Sequence, residues 1–269
     1  MRCSIWTRRA RALSETPPRA AGVAEGAGVP ICQGMPSSSS TQTILIVGAS
    51  RGLGYAMAEE YLKQGWRVVG TVRGERATPL HDLAARSDGR LEIETLDINI
   101  PDQIAALHAR LAGRAFDVLF VNPGVVNSNP DQAVGEVSQE EFTRVMVTNA
   151  LSPMRVVEGL QDLVPPTGVI GVMSSGQGSV ANNTAGMREL YRGSKAALNT
   201  FMRSFAARHA DDPRAMVLMA PGWVRTDLGG PDARLTIQDS VPSLVQVLMD
   251  ARGKPGLRYI DYLGRVVPW

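Results

Sequence analysis

The stretch from Thr43 to Leu62, TILIVGASRGLGYAMAEEYL, constrains the fold more than any other part of the 269-residue chain. Its apolar part, Ile44-Leu45-Ile46-Val47, is short, continuous and mostly β-branched, which suits a strand buried on both faces of a parallel sheet. Gly48, Gly52 and Gly54 follow, and then Leu53, Met57, Tyr61 and Leu62 recur at helical intervals. The reading is strand, tight glycine turn, helix. Such a turn leaves the unpaired N–H groups of a helix start facing outward at the carboxyl end of a strand, where a phosphate can be held. The glycines permit the sharp turn and the close approach of a phosphate to the backbone. A plain glycine-rich loop would carry the same letters, so the rest of the chain has to decide between the two.

From Thr43 onward the alternation repeats. Strands are expected at 43–48, 66–72, 91–96, 116–121, 168–174, 215–220 and 257–262. Helices are expected at 52–64, 78–86, 101–112, 138–163 (with Pro153 a point for a kink), 189–210 and 239–250. A βαβ series of this kind implies an α/β fold: one doubly wound, Rossmann-type domain with a mostly parallel seven-stranded sheet and helices on both faces. Ligands bind such sheets beyond the carboxyl ends of the strands, near the point where strand order reverses. GASRGLG, Arg73, LDI, NPG, SSGQG and APGWVRTD each follow one of the first six strands in turn.

The formal net charge of +2 is misleading. Residues 1–36 hold five arginines against two glutamates, so that segment carries +3 and the remainder −1. The body therefore has no basic excess for nucleic acid or an anionic membrane surface. No run of 18 apolar residues occurs, so no membrane span is expected. Both cysteines, Cys3 and Cys32, lie in the leading segment, and the body needs neither disulfides nor a thiolate metal site. His81, His108 and His209 are scattered over predicted helices and read as surface residues, not metal ligands. Residues 1–40 are aperiodic and rich in Arg, Ala, Gly, Pro and Ser, and are expected to be a disordered extension before a domain at 41–269. An organelle transit peptide and a true start at Met35 both fit that composition.

Chemistry enters with LYRGSKAALNTFMRSFA, Leu190 to Ala206. Tyr191 and Lys195 are four apart and so share a helix face. An ammonium beside a phenol favours the phenolate, and a tyrosine tuned in this way can exchange a proton near neutral pH. An isolated pair of this kind is more often a solvated helix surface. The odds change because GASRGLG, Asn149 in VTNALSP, Ser174-Ser175, Tyr-Arg-Gly-Ser-Lys and APGWVRTD all occur, each at a strand end or on the helix that follows.

In that order the chain resembles the short-chain dehydrogenase/reductase family over roughly residues 42–269. The ending YIDYLGRVVPW and the long spacer GQGSVANNTAGMREL between Ser175 and Tyr191 resemble the subgroup of C-factor-like and sniffer-type carbonyl reductases. The resemblance implies that Tyr191 is the acid/base and that Lys195 lowers its pKa and meets the nicotinamide ribose. It implies that Ser175 holds the substrate carbonyl, with Asn149 anchoring a water that extends the relay to Lys195. Ser174 is the rival of Ser175; alternation lets only one face the site, and spacing to Gly178 favours the second.

For the cofactor the resemblance implies a pyrophosphate cradle at Gly48, Gly52 and Gly54, with Ser50, Arg51 and Leu53 in the same turn. Asp97 would meet the adenine amino group and Ile98 the ring. Asn122 and Gly124 match the N-A-G of the family's fourth strand end, where Val121 and Pro123 depart from the pattern and the proline removes an N–H. Thr226 would meet the nicotinamide carboxamide, and Pro221, Gly222, Val224, Tyr191 and Lys195 would also bind the cofactor. Arg73 falls where NAD-specific members place an acid, and Arg51 lies in the glycine turn; two guanidiniums there suit a 2′-phosphate. NADP(H) is therefore preferred and NAD(H) the second choice, with Glu75 the rival group for the ribose. The segment from Leu228 to Leu235, LGGPDARL, reads as a short lid over an open site, followed by Thr236 as an N-cap with Asp239.

The leading expectation is a cytoplasmic NADPH-dependent oxidoreductase acting on a small carbonyl or alcohol. It would be a homodimer or homotetramer, with the apolar set Leu198, Phe201 and Phe205 serving either the subunit face or the core. A dinucleotide-binding signalling protein with little turnover is the alternative, and a scaffold role the least favoured, because neither needs a proton relay.

Overall fold

A computed structural model describes residues 41–269 of the chain. The expectations for residues 1–40, including a start at Met35, lie outside the described residues. Seven strands form one sheet: β1 Thr43–Val47, β2 Arg67–Val72, β3 Leu91–Thr95, β4 Val118–Val121, β5 Val169–Met173, β6 Ala215–Ala220 and β7 Gly256–Asp261. Their order is β3-β2-β1-β4-β5-β6-β7 and every pairing is parallel, not merely most of them. Order reverses between β1 and β4, where the chain finishes its outward run and crosses back. The crevice above that reversal is where a ligand belongs.

Seven α-helices cross between the strands or flank them: α1 Gly52–Lys63, α2 Pro79–Ala85, α3 Pro101–Arg110, α4 Gln139–Met146, α5 Ser152–Leu160, α6 Glu189–Arg208 and α7 Ile237–Ala251. The strand period of two sends Leu45 and Val47 to one core and Ile44 and Ile46 to the other. The first core is closed by Ile104 and Leu107 of α3, Val157 and Leu160 of α5, and Leu198, Met202 and Phe205 of α6. The second is closed by Met57 and Tyr61 of α1, Leu80 and Leu83 of α2, and Leu244 and Leu248 of α7. Each fully buried side chain of this size contributes about 1.5–3 kcal/mol relative to exposure, so the two layers hold the strand ends in place. Leu198 and Phe205 are core residues, whereas Phe201 stays 43% exposed on the outer face of α6.

Two expectations change. The single helix at 138–163 is α4, a π-helical turn at Val147–Leu151, α5 and a 3₁₀ turn at Gln161–Leu163. The cause is Pro153, which lacks the N–H that an α-helix would donate to the Asn149 carbonyl. A π-turn absorbs the missing bond, and such turns recur at functional sites. His209 is not helical but follows the last residue of α6 and stacks on Phe205. Thr236 caps α7 as expected: its hydroxyl accepts from the Asp239 N–H at 3.2 Å and the Asp239 carboxylate accepts from the Thr236 N–H at 2.8 Å. Among the described residues no helix is long and apolar enough to cross a membrane, and no cluster of His, Cys, Asp or Glu is arranged to hold a metal ion.

Candidate active site

A cavity of about 660 Å³ opens at the carboxyl ends of the strands. Among the sequence-predicted positions it gathers Gly48, Ser50, Arg51, Gly52, Leu53, Arg73, Asp97, Ile98, Asn122 and Gly124 at β1, β2, β3 and β4. It also gathers Ser175, Tyr191, Lys195, Pro221, Gly222, Val224 and Thr226 at β5, β6 and α6. Gly54 and Asn149 do not line it; they stand one layer behind.

Gly54 is the point where α1 crosses the turn. A Cβ there would lie 2.1 Å from the Gly48 carbonyl oxygen and 2.7 Å from Asn122 Nδ2. Asn122 in turn donates from Nδ2 to the Gly48 oxygen at 2.9 Å, and the Gly48 N–H is taken by Thr71 Oγ1 at 2.9 Å. Gly48 and Gly52 sit at φ +88° and +58°, where a side chain is strained. The helix start has no side-chain cap. Its orphan N–H groups and its dipole therefore remain available to an anion, and the cradle fits the pyrophosphate of a dinucleotide. Asp97 spends one carboxylate oxygen on the Asn99 N–H at 2.9 Å. Ile98 is 6% exposed, so only an edge of it can meet a ring.

Tyr191 and Lys195 lie on one face of α6 and are both buried. Burial raises the Tyr191 pKa above its ordinary value, while the Ser175 side chain and the Arg188 charge pull it back. Lys195, expected from sequence to depress that pKa, does not do so in the resting site: burial lowers its own ammonium to about 8, so its charge is lost before the phenol would ionise, and it can act only on a phenolate formed below that pH. Lys195 Nζ donates to the Met173 carbonyl at 2.9 Å, leaving two protons for other acceptors. Gly124 keeps the approach open, since a Cβ there would stand 3.5 Å from Lys195 Nζ.

Strand alternation is expected to let only one serine face the site, but β5 ends at Met173 and both Ser174 and Ser175 line the cavity; they differ in their partners. Ser174 Oγ is buried and donates to Asn199 Oδ1 at 2.6 Å. Ser175 Oγ accepts from the Gln177 N–H at 3.1 Å, which leaves its proton free to donate. Asn149, fully buried in the π-turn, differs from a simple water anchor. Its Oδ1 accepts from the Val125 N–H at 2.8 Å, and its Nδ2 donates to the Val125 carbonyl at 2.8 Å and to Ser194 Oγ at 2.9 Å. Ser194 closes the circuit by donating to the Tyr191 carbonyl at 2.7 Å.

The lid is tied down more than its glycines suggest. Trp223 Nε1 donates to the Gly229 carbonyl at 2.8 Å, and Thr226 Oγ1 accepts from the Gly229 N–H at 3.1 Å. Arg225 Nε donates to the Ala233 carbonyl at 2.8 Å, the Arg225 N–H donates to the Leu235 carbonyl and the Leu235 N–H to the Trp223 carbonyl. Arg51 Nη1 pairs with Asp227 of this loop at 2.6 Å, both side chains being largely exposed. Thr226, expected at the nicotinamide, thus spends part of its hydroxyl on the lid.

Thr71, Ser194, Asn199 and Tyr259 support the site but receive no role from sequence alone, although Ser194 lies within Tyr-Arg-Gly-Ser-Lys and Tyr259 opens YIDYLGRVVPW. Tyr259 on β7 is the most consequential: its phenol donates to the Ser175 carbonyl, and its ring packs against Trp269, whose main-chain oxygen accepts from the Ala181 N–H at 2.9 Å. Tyr259→Phe leaves the Ser175 carbonyl without that partner, which costs about 1–3 kcal/mol. The expected result is a melting temperature lower by roughly 2–12 °C and a reduced kcat with unchanged dinucleotide affinity. Calorimetry with steady-state kinetics checks it; unchanged kcat would show that Ser175 does not depend on Tyr259.

The chain matches the short chain dehydrogenase family over residues 42–234 and belongs to that family. It is 67% identical to a short-chain dehydrogenase/reductase from Burkholderia multivorans solved with bound NADP, with a TM-score of 0.84 over 86% of this chain and all of that one. A carbonyl reductase from Pseudomonas aeruginosa in complex with NADP is 36% identical, with a TM-score of 0.79 over 86% of this chain and all of that one. The C-signal protein of Myxococcus xanthus is 38% identical over 155 residues, 57% of this chain and 92% of that protein. The fold and the family make this chain an oxidoreductase that works with a nicotinamide dinucleotide.

Proposed function

We propose that the chain is an NADPH-dependent carbonyl reductase in which Ser175, Tyr191 and Lys195 carry the proton chemistry. The observation that supports it is that these three residues and the glycine cradle line one and the same cavity. A bound NADPH would supply hydride from its nicotinamide. Ser175 donates its free proton to the substrate oxygen and holds the carbonyl beside Tyr191. Tyr191, kept protonated by burial, gives its proton to the developing alkoxide. Lys195, mostly charged at pH 7, stabilises the phenolate left behind. Asn149 acts as a clamp through its committed amide, and a relay water would rest on its main-chain carbonyl, which Pro153 cannot cap.

The remaining predicted cradle residues keep their assignments: Gly48, Ser50, Gly52, Leu53 and Gly54 at the pyrophosphate, Asp97 and Ile98 at adenine, Asn122 and Gly124 at the floor. Thr226 stands at the nicotinamide carboxamide, and Pro221, Gly222 and Val224 also bind the cofactor. Preference for NADPH rests on Arg73, which forms no ion pair among the described residues, and on Arg51. The Arg51–Asp227 pair is exposed, and such pairs contribute about 0–1 kcal/mol, so a phosphate can displace the aspartate. Glu75 is not part of the cavity lining. Removing Arg73, Arg51 or both is expected to lower kcat/KM for NADPH about 10–100-fold per charge-assisted bond, chiefly through KM, with NADH nearly unaffected. Equal use of both dinucleotides by the wild type would defeat this assignment.

The similarity to C-signal supports a second reading, a dinucleotide-binding regulatory protein with little turnover. Fluorescence titration with NADPH followed by a carbonyl panel separates the two, since binding without turnover favours the second. We further assign a cytoplasmic domain over residues 41–269 that pairs through the outer faces of α4, α5 and α6. Exposed Phe142, Leu151 and Phe201 support that pairing, and light scattering tests it.

A further inference from the structure

Gly186, Met187 and Arg188 form a left-handed turn immediately before α6, with φ of +65°, +44° and +55°. Two of the three are not glycine, and one of those carries a long cationic side chain. Left-handed backbone is strained for such residues and persists only where the surroundings over-determine it. Here they do: Arg192 Nε donates to the Met187 carbonyl and the Arg192 N–H to the Arg188 carbonyl, at 2.8 and 2.9 Å. Arg188 gains nothing locally from its side chain, which makes no capping bond to α6. The residue instead lines the cavity.

The other charges around the cavity sharpen the point. Arg51 is paired with Asp227 and Arg265 with Asp261, and Glu189, next in sequence to Arg188, accepts from the Val134 N–H. Arg188 forms no ion pair among the described residues. It precedes Tyr191 by three positions, one helical turn, and its charge is felt by that phenol. A free cation is therefore held at the reacting end of the site, remote from the glycine cradle where the dinucleotide phosphates belong.

We infer that Arg188 is a substrate-binding residue that selects carbonyl compounds bearing a carboxylate, which its fork can receive in two parallel hydrogen bonds. The inference rests on the reductase reading of the same cavity. The strained backbone is what aims the guanidinium inward, and glycine would relax the turn while losing the fork.

The test compares 4-carboxybenzaldehyde with methyl 4-formylbenzoate, alike except for the charge, using NADPH and the wild type, Arg188→Lys and Arg188→Gly. The wild type is expected to favour the carboxylate. Arg188→Gly should raise KM for the carboxylate about 10–100-fold relative to KM for the ester, while any loss through Tyr191 falls on kcat for both aldehydes alike, with melting temperature unchanged or higher. Arg188→Lys should fall between, keeping the charge but not the fork. Binding of 4-carboxybenzyl alcohol, followed by tryptophan fluorescence without turnover, should weaken in parallel with KM. Equal losses on both aldehydes would mean that Arg188 acts only through Tyr191, and a ratio indifferent to Arg188 would overturn the assignment while leaving the reductase reading intact. Failure of the wild type to reduce either aldehyde, with the alcohol still bound through Arg188, would overturn the reductase reading instead. No turnover and no binding would overturn both.

Discussion

Tyr191→Phe is expected to lower carbonyl reduction about 10²–10⁴-fold while leaving the affinity for NADPH within about a factor of two. The ring is 6% exposed, so phenylalanine keeps its volume and removes only the phenol oxygen. What is lost is the proton that must reach the alkoxide as hydride arrives, an interaction made in the transition state and not in the ground state. kcat should therefore fall while KM stays near its wild-type value. The wild type should also show a pH limb that the variant lacks. Lys195 titrates at about 8, so below that pH its charge stabilises the departing phenolate, and above it the charge disappears and proton donation becomes harder. Reduction should accordingly decline as pH rises through 8. Stopped-flow turnover and equilibrium NADPH binding on both proteins check this, and near wild-type reduction by the variant would remove Tyr191 from the mechanism.

Gly54→Ala should be among the most damaging single methyls in the domain. The new Cβ would approach the Gly48 oxygen to 2.1 Å, Asn122 Nδ2 to 2.7 Å and Ala49 Cα to 3.1 Å. Two of these three are backbone atoms, and Asn122 is held by its own bond to Gly48, so none can step aside cheaply. α1 must lift off the β1 turn, and the N–H groups that would cradle the pyrophosphate move with it. Overpacking of this kind costs typically 1–3 kcal/mol and occasionally more; in a domain of this size that lowers the melting temperature by roughly 2–12 °C. Dinucleotide affinity should fall at least tenfold, because the phosphate site and the clash share the same atoms. Gly52→Ala is the contrast. It has φ +58° and no neighbour nearer than Thr226 Cγ2 at 4.0 Å, so it meets only backbone strain of about 1–2 kcal/mol. If calorimetry and NADPH titration ranked the two variants the other way round, the crossing of α1 over the turn would not be what this glycine protects.

The two serines illustrate how much of the site was legible from the chain. Strand alternation predicted that only one of Ser174 and Ser175 would face the site, and spacing pointed to the second; β5 ends before either, both line the cavity, and what separates them is the bond from Ser174 to Asn199, a buried partner that local pattern could not name. The same division runs through α6. A four-residue interval put Tyr191 and Lys195 on one face, because helical period is local. Which way the phenol is tuned depends on burial between β5 and α6, and burial is a property of the packed chain. Pro153 announced a break in the long helix, since a missing N–H is a fact of the residue itself. That the break becomes a π-turn, with the Asn149 amide clamped on Val125, depended on where the fourth strand's end came to lie.

Sequence by itself determined the order of strands and helices, the glycine cradle and the Tyr–Lys face, because periodicity, backbone freedom and hydrogen-bonding capacity are written residue by residue. Tertiary structure alone decided the pairings between distant segments. Tyr259 reaches Ser175 across 84 positions, and Arg51 reaches Asp227 across 176. It also decided which apolar residues of α6 enter the core, with Leu198 and Phe205 inside and Phe201 out. Such contacts are set by the register of parallel strands that neighbour in space and not in sequence, and no local pattern encodes that register.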